Sequence, residues 1–231
     1  MSGIEYDAPG VGSTASRSVS RTAAIGAGLV ALNVLLMLAV SYTPVAGVGR
    51  VLFSNFFLGV AAFAVTVGGG YWLANTGLER DSLGLAGAGV ALSQFGYALL
   101  GSALLAAVGS STRVTALGIT TVVTGLVTAV VTVVVFGTDH SFERWQLYSW
   151  GFFGGGFVLG AIGYFVAPVL LLVASALFLF GFIVDLTYEV WAVRESKYGT
   201  LRSALGIYVA VMGVFVHVLQ LVLRVLELTD A

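Results

Sequence analysis

The chain contains no cysteine and only three prolines in 231 residues. Without cysteine it has no disulfide, no thiol catalyst and no cysteine-ligated metal or iron-sulfur site. Charge is also scarce, since 9% of the residues are charged against about 25% in an average soluble domain. The formal net charge is -1 and no basic cluster is present, which excludes nucleic acid as a partner because its binding demands a clustered basic face.

Most of the chain consists of long apolar runs. Hydrophobic residues make up 58% of the chain, and the mean hydropathy is +1.02. The runs exceed the roughly 17 to 25 residues that a helix needs to cross a hydrocarbon core, whereas a membrane barrel shows alternating segments of about ten. The sequence therefore predicts an all-α, polytopic integral membrane protein whose first partner is the lipid bilayer.

The apolar runs predict seven transmembrane helices, which we number by their order in the chain. They cover residues 23–42, 51–74, 83–108, 114–136, 147–166, 169–193 and 204–226. Residues 1–21 are polar and rich in Ser and Gly, which predicts a disordered cytoplasmic tail. Residues 22–231 then form one seven-helix transmembrane domain, and no soluble domain is inserted in it.

Lysine and arginine predict the orientation, because short cytoplasmic loops keep an excess of them. Seven basic residues fall in the tail and in alternate loops: Arg17, Arg21, Arg80, Arg144, Arg194, Lys197 and Arg202. The opposite face holds Arg50, Arg113 and Arg224. We expect the N-terminus in the cytoplasm, the C-terminus outside and, because no organelle address is visible, the cell membrane of a prokaryote.

Asp185 is the most informative residue because it lies inside the sixth predicted helix. An ionisable group at membrane depth costs about 2.5 to 3.5 kcal/mol on insertion scales, and it usually lines a polar pathway or pairs within the bundle. Glu189 follows four residues later and projects from the same side. It lies nearer the cytoplasmic end, so we expect it to reach headgroup water or to pair with Arg194.

Other polar residues within the spans favour helix packing. His217, in the seventh predicted helix, would titrate near physiological pH if it faced a path, but a neutral histidine bonded to a neighbouring helix is the commoner case. Asn33, Asn55 and Gln94 are interpreted as interhelical hydrogen-bonding groups. They support no reaction by themselves.

Glycines suggest where helices approach one another. Two groups suit close contact: Gly84, Gly87 and Gly89 in the third predicted helix, and Gly156, Gly160 and Gly163 on one face of the fifth. The run 68–70 in the second predicted helix consists of three glycines and is consistent with a local break, although glycine is common in membrane helices.

The chain lacks the residues that several classes of membrane protein need for their activity. A retinal protein needs a lysine at membrane depth, whereas Lys197, the single lysine, falls in a loop. HExxH, Walker A and GxSxG motifs are absent, and an intramembrane aspartyl protease needs a second facing carboxylate that the last span lacks until Glu227. We predict that the protein is not an enzyme and uses no cofactor.

Three segments resemble the Bax inhibitor family of seven-helix membrane proteins. TDHSFERW at 138–145 with GFFGGGF at 151–157 is similar to the family's loop before the fifth helix and the glycine-rich start of that helix. ALFLFGFIVDLTY at 176–188 resembles its sixth helix, and SALGIYVAVMGVF at 203–215 resembles its seventh. The resemblance covers about residues 138–223, and the first half of the chain agrees only in its predicted helix count.

The resemblance implies six helices around a central seventh, with an aspartate on each of helices six and seven closing a pH-sensitive calcium leak near the cytoplasmic side. Asp185 matches the first aspartate. Ala210 stands where the second is expected, and Gly213 where the family has an asparagine. Because two facing acids can share a proton and one cannot, the paired latch does not carry over to this chain.

The sequence leads to a cation leak channel, with calcium as the expected ion. In this hypothesis Asp185 is the intramembrane acid and a weak calcium contact, and Glu189 gathers cations at the cytoplasmic mouth. Tyr208 contributes a hydroxyl to the path, and His217 makes the flux depend on pH if it faces the path. A non-conducting structural or regulatory membrane protein is the alternative, favoured by Ala210. A proton-coupled transporter ranks last because no internal repeat is evident.

Overall fold

The computed structural model describes the backbone of residues 11–229 and the side chains of residues 18–227. Within that part of the chain every regular element is a helix. The eight helices are α1 (Val11–Ser41), α2 (Val45–Phe53), α3 (Phe56–Glu79), α4 (Leu83–Leu105), α5 (Ser110–Phe136), α6 (Trp145–Phe165), α7 (Val169–Arg194) and α8 (Thr200–Thr229). The predicted all-α class is confirmed.

Six of the helices are long and apolar enough to cross a membrane, namely α1 from Ser18, α3, α4, α5, α7 and α8 up to Glu227. The prediction of seven such spans is therefore wrong by one. The fifth predicted span, residues 147–166, corresponds to α6, which has 21 residues but is absent from the six. Its glycines, tryptophans and tyrosines lower its mean hydropathy.

The first helix begins earlier than expected. α1 starts at Val11, so residues 11–21 are helical, whereas their composition predicts a disordered tail. Residues 1–10, the rest of the predicted tail, lie outside the described residues.

Asn55 divides the second predicted span into two helices. Its Oδ1 accepts hydrogen bonds from the backbone N–H groups of Phe57 and Leu58, at 3.0 and 3.2 Å, and so caps the start of α3. Its Nδ2 donates to the Tyr164 hydroxyl at the end of α6, at 2.6 Å. The prediction that Asn55 links helices is confirmed, and residues 45–53 form the separate helix α2.

A π turn interrupts the regular winding of α3. It covers Ala64–Gly68, immediately before Gly69 and Gly70. Such a turn accommodates an extra residue without ending the helix. The Ser93 hydroxyl of α4 donates to the Val67 carbonyl inside the turn, at 3.3 Å. The glycine run therefore marks a change of winding, and α3 continues through it.

Small residues bring neighbouring helices close together. Gly89 of α4 packs directly on the backbone of α3, and Gly156 and Gly163 of α6 pack on α7. The close approach predicted for these glycines is confirmed. Gly84 and Gly87 face open space, so their part of the prediction is wrong.

Buried amides join α1 to α4. Asn33 Nδ2 donates to the Gln94 side-chain oxygen at 2.6 Å and to its backbone carbonyl at 2.8 Å. Gln94 Nε2 in turn donates to the Leu29 carbonyl at 3.0 Å. These bonds confirm the interhelical role predicted for Asn33 and Gln94.

The last helix is the most enclosed of the six candidate spans. More than half of its apolar segment is buried, and it contacts α1, α3, α4, α5 and α7. Side chains from five helices therefore meet at α8.

Polar contacts distinguish the two ends of the bundle. At one end Arg202, at the start of α8, lies 3.8 Å from Glu79, at the end of α3. At the other end Arg113 Nη1 donates to the Ser41 carbonyl at 2.8 Å. We call the first the basic end, because it carries Arg80, Arg144, Arg194, Lys197 and Arg202. α1 begins there and α8 ends at the opposite end.

Candidate functional site

Two glycines of α8 define its alignment with α7. The Glu189 carboxylate occupies the space beside Gly206, and the Phe182 ring occupies the space beside Gly213. A Cβ at either glycine would overlap the α7 side chain that faces it. The two helices therefore run antiparallel in a register that these two contacts fix.

This register places Ala210 opposite Asp185. Asp185 lies four residues before Glu189, and Ala210 lies four residues after Gly206, so each is one turn further from the basic end. Ala210 is fully buried. An acidic side chain at residue 210 would therefore lie at the level of Asp185 across the helix interface.

Glu189 is the more deeply buried of the two acids on α7. Its side chain is 5% exposed, and its Oε1 accepts a hydrogen bond from the Tyr71 hydroxyl of α3 at 3.5 Å. Arg194, its expected partner, instead contacts Glu195 and the carbonyls at the end of α5. The expectation of an exposed or Arg194-paired Glu189 is wrong, because α8 packs across it at Gly206.

Asp185 is half-buried, one turn further into the bundle than Glu189. The Ser149 hydroxyl of α6 is the polar group beside its carboxyl group. The two carboxylates project from one side of α7 and interact electrostatically. We call Asp185 and Glu189 the acidic pair. The pair belongs to one helix, whereas the resemblance implies two acids on facing helices.

Tyr208 lies apart from the acidic pair. It is two residues beyond Gly206, which is about 200° around the helix, and its ring packs edge-to-face on Tyr97 of α4 at 6.0 Å. Its buried hydroxyl has no hydrogen-bond partner among the described residues. Tyr97 donates to the Val209 carbonyl at 2.7 Å. The structure therefore places the Tyr208 hydroxyl on the opposite side of α8 from the acidic pair, and it does not bring this hydroxyl to the Asp185 site as expected.

His217 is also separated from the acidic pair. It lies about three turns, or roughly 16 Å, beyond Gly206 along α8. Its Nδ1 is 2.8 Å from the Gly213 carbonyl of its own helix, and its ring lies beside Phe178 and Phe182. The expected bond to a neighbouring helix is therefore replaced by a bond within α8.

Three polar residues near Glu189 were not singled out by sequence reasoning. Tyr71 and Asn75 lie one turn apart on α3, and Arg202 lies one turn before Gly206 on α8. Asn75 Oδ1 and Arg202 Nε are buried without a hydrogen-bond partner among the described residues. The sequence did offer a signal for them. Tyr71 and Arg202 lie on helices that must pack near α7 if α8 is central in the bundle.

The acidic pair provides few ligands for a metal ion. Among the residues that the structure describes, no group of three or more His, Cys, Asp or Glu side chains could hold one. Calcium normally takes six to eight oxygens. Two carboxylates with nearby phenol and amide oxygens suit a weak, transient cation contact better than storage.

The fold and the apolar helices define a multi-pass helical membrane protein. Comparison with protein families, with curated proteins and with solved structures found no match.

Proposed function

We propose that the protein is a membrane protein of the Bax inhibitor type that passes cations, calcium among them, through a pH-sensitive leak path with an incomplete aspartate pair. The observation that carries this proposal is the burial of Glu189 against Gly206, one turn from Asp185. Two carboxylates inside an apolar bundle are costly unless they meet cations, protons or hydrogen-bond donors.

The position of the acids supports a conducting role. A cation path requires binding that is strong enough for entry and weak enough for release. The acidic pair offers negative charge with few ligands, and it lies toward the basic end, which is one mouth of the bundle. Asp185 acts as the inner acid, and Glu189 attracts cations from the basic end.

The alignment of α7 with α8 supports the resemblance. Ala210 lies at the level of Asp185, where the resemblance puts a second aspartate. In this protein Glu189, on the same helix as Asp185, supplies the second negative charge. Tyr208 acts from another face of α8 and His217 from about three turns further along it, and their influence on conduction is indirect.

We place the protein in the cell membrane with the basic end in the cytoplasm. The excess of arginine and lysine at that end supports this orientation. Because α6 also runs from the basic end to the opposite end, where Tyr164 meets Asn55, it crosses the membrane beside the six apolar spans. The N-terminus is then cytoplasmic and the C-terminus outside.

A non-conducting structural or regulatory role is the second candidate. It is favoured by the tight packing of α8, where the residues from Tyr208 to Val216 are buried except for the half-buried Val209. In that role the acids are held neutral by hydrogen bonds, and Ala210 is simply a packing residue.

Calcium flux into liposomes that hold the purified protein and an internal dye tests the proposal. Asp185→Asn and Glu189→Gln each remove one charge with little change of shape. We expect both variants to lower flux severalfold, because each removes part of the attraction for the cation. Asp139→Asn, an exposed acid in the loop before α6, is the matched control and is expected to keep the native flux.

The outcomes separate the two roles. Flux that Asp185→Asn leaves unchanged would remove this residue from the path. Thermal unfolding in detergent shows whether each protein is folded. Absence of flux from the native protein and from every variant, when all of them are folded, would favour the structural or regulatory role.

A further inference from the structure

Arg202 is held at the basic end by two contacts. Its Nη1 lies 3.8 Å from Glu79 Oε1, and its guanidinium carbon lies 3.9 Å above the centre of the Tyr198 ring. The Glu79 side chain is 64% exposed, so water screens this ion pair. The contact with Glu79 is therefore an easily exchanged one.

The same arginine also faces the acidic pair. Arg202 and Gly206 are one turn apart on α8, and the Glu189 carboxylate lies beside Gly206. The guanidinium interacts electrostatically with Glu189 and with Tyr71. Its Nε is buried and has no hydrogen-bond partner among the described residues. A buried donor on this side chain is thus without a partner in the described part of the chain, one helical turn from the glycine beside which the Glu189 carboxylate lies.

The groups that face Glu189 come from each element packed around it. Tyr71 contacts it from α3, and Asp185 lies one turn away on α7 itself. Arg202 approaches from α8, and Lys197 acts from the loop between α7 and α8. Lys197 is already engaged by Glu143 at 3.5 Å and by the rings of nearby aromatic residues. Of these two cations, Arg202 is the one with a buried donor that has no hydrogen-bond partner among the described residues.

We propose that Arg202 is a tethered counter-ion that competes with permeating cations for Glu189. The inference rests on the proposed cation path and names its regulation. With its guanidinium on Glu79, Arg202 leaves the Glu189 carboxylate open to cations. With its guanidinium on Glu189, it neutralises that carboxylate and fills the entrance from the basic end. Arg202 is thus a positioning residue for conduction.

Arg202 exchanges between Glu79 and Glu189 in this proposal, so removing Arg202 and removing Glu79 are expected to change the flux in opposite directions. Arg202→Gln removes the competing cation, so calcium flux into liposomes is expected to rise severalfold. Glu79→Gln removes the outer partner and leaves Arg202 to Glu189, so flux is expected to fall severalfold. Arg202→Lys keeps a cation on the tether and is expected to stay closer to the native flux than Arg202→Gln. A merely structural role of the ion pair would move both charge-removing variants in the same direction.

Arg80→Gln is the matched control for lost positive charge. Arg80 is exposed at the same end of the bundle, next to Glu79 in sequence. We expect it to leave flux unchanged. If Arg80→Gln raises flux as much as Arg202→Gln does, the effect is general surface charge and the proposal for Arg202 is overturned.

A stability measurement separates this inference from the proposed function. Thermal unfolding in detergent is compared for Arg202→Gln, Glu189→Gln and the double variant. We expect the melting temperature of the double variant to fall by less than the sum of the falls in the two single variants, because the two side chains interact. Such coupling with no flux in any protein would overturn the proposed function and retain the pairing. Flux that is the same in native protein and Arg202→Gln, or strictly additive melting shifts, would overturn the role of Arg202.

Discussion

The Glu189 carboxylate of α7 occupies the space that a side chain on Gly206 of α8 would fill. The absence of a side chain on one helix therefore creates the pocket for an acid on the other. Because Glu189 is 5% exposed, its position depends on this gap as well as on its bond to Tyr71.

Gly206→Ala is expected to displace Glu189 and to destabilise the protein by about 1 to 3 kcal/mol, the usual cost of overpacking. Adding Glu189→Ala should restore part of the loss, because the smaller side chain makes room for the new methyl group. Thermal unfolding in detergent measures both effects. Gly118→Ala, where an added Cβ meets open space, is the control. A double variant that is no more stable than Gly206→Ala would show that the carboxylate is not what the methyl group meets.

The contact between α3 and α4 provides a pair of neighbouring glycines with opposite environments. A Cβ at Gly89 would overlap backbone atoms of α3, whereas a Cβ at Gly87 would meet nothing within 4 Å. Backbone cannot move aside as a flexible side chain can. We expect Gly89→Ala to lower the free energy of unfolding by about 1 to 3 kcal/mol or more, and Gly87→Ala to leave it unchanged or raise it. Equal melting temperatures for the two variants would contradict the packing.

Ala210→Asp is expected to make calcium flux more dependent on pH. The new carboxyl group would face Asp185, and two acids in contact can share a proton. As the pH falls, the pair takes up a proton and loses negative charge, so cation flux should fall. Liposome flux measured from mildly alkaline to mildly acidic pH checks this, with Ala210→Asn as the uncharged control. The same pH profile for both variants would place residue 210 away from Asp185.

The absence of cysteine makes the orientation directly measurable, since any introduced cysteine is unique. Asp139→Cys and Ser196→Cys lie at the basic end, and we expect a membrane-impermeant maleimide to label them only from the cytoplasmic side. Gly109→Cys is expected to be labelled only from outside. Ala167→Cys, between α6 and α7, should behave like Gly109→Cys because the end of α6 contacts the start of α3. The reverse pattern would invert the proposed orientation.

Sequence patterns identified most of the helices because lipid-crossing segments depend on apolar length, which a sequence shows directly. The predicted spans at residues 83–108 and 114–136 match α4 and α5 within a few residues. α6 was overcounted as an apolar span because its tryptophans, tyrosines and glycines, although compatible with a helix of this length, lower its mean hydropathy. α2 was missed because residues 44–50 were interpreted as a polar connection and the cap at Asn55 lies inside the apolar run that follows.

The site was harder to predict than the helices because burial of one residue depends on what a distant helix places beside it. Asp185 was recognised from its own surroundings in the sequence. Glu189 was expected near water because it is closer to the helix end, but Gly206 lets α8 cover it. Arg202 was counted as a loop charge, although α8 begins at residue 200 and carries it toward Glu189.

The π turn divides α3 into two regular α-helical halves whose relative orientation it sets. Phe56 and Phe57, before the turn, meet aromatic residues of α6, while Gly70 and Tyr71, after it, meet α4 and Glu189. Deleting a single residue within 64–68 would convert the turn to regular α-helix and leave the two halves close to their present orientation, because the wide turn already absorbs one extra residue. The segment between Phe57 and Tyr71 therefore tolerates the loss of one residue, whereas one further residue in regular α-helix would rotate Tyr71 by about 100° about the helix axis and would be felt at Glu189.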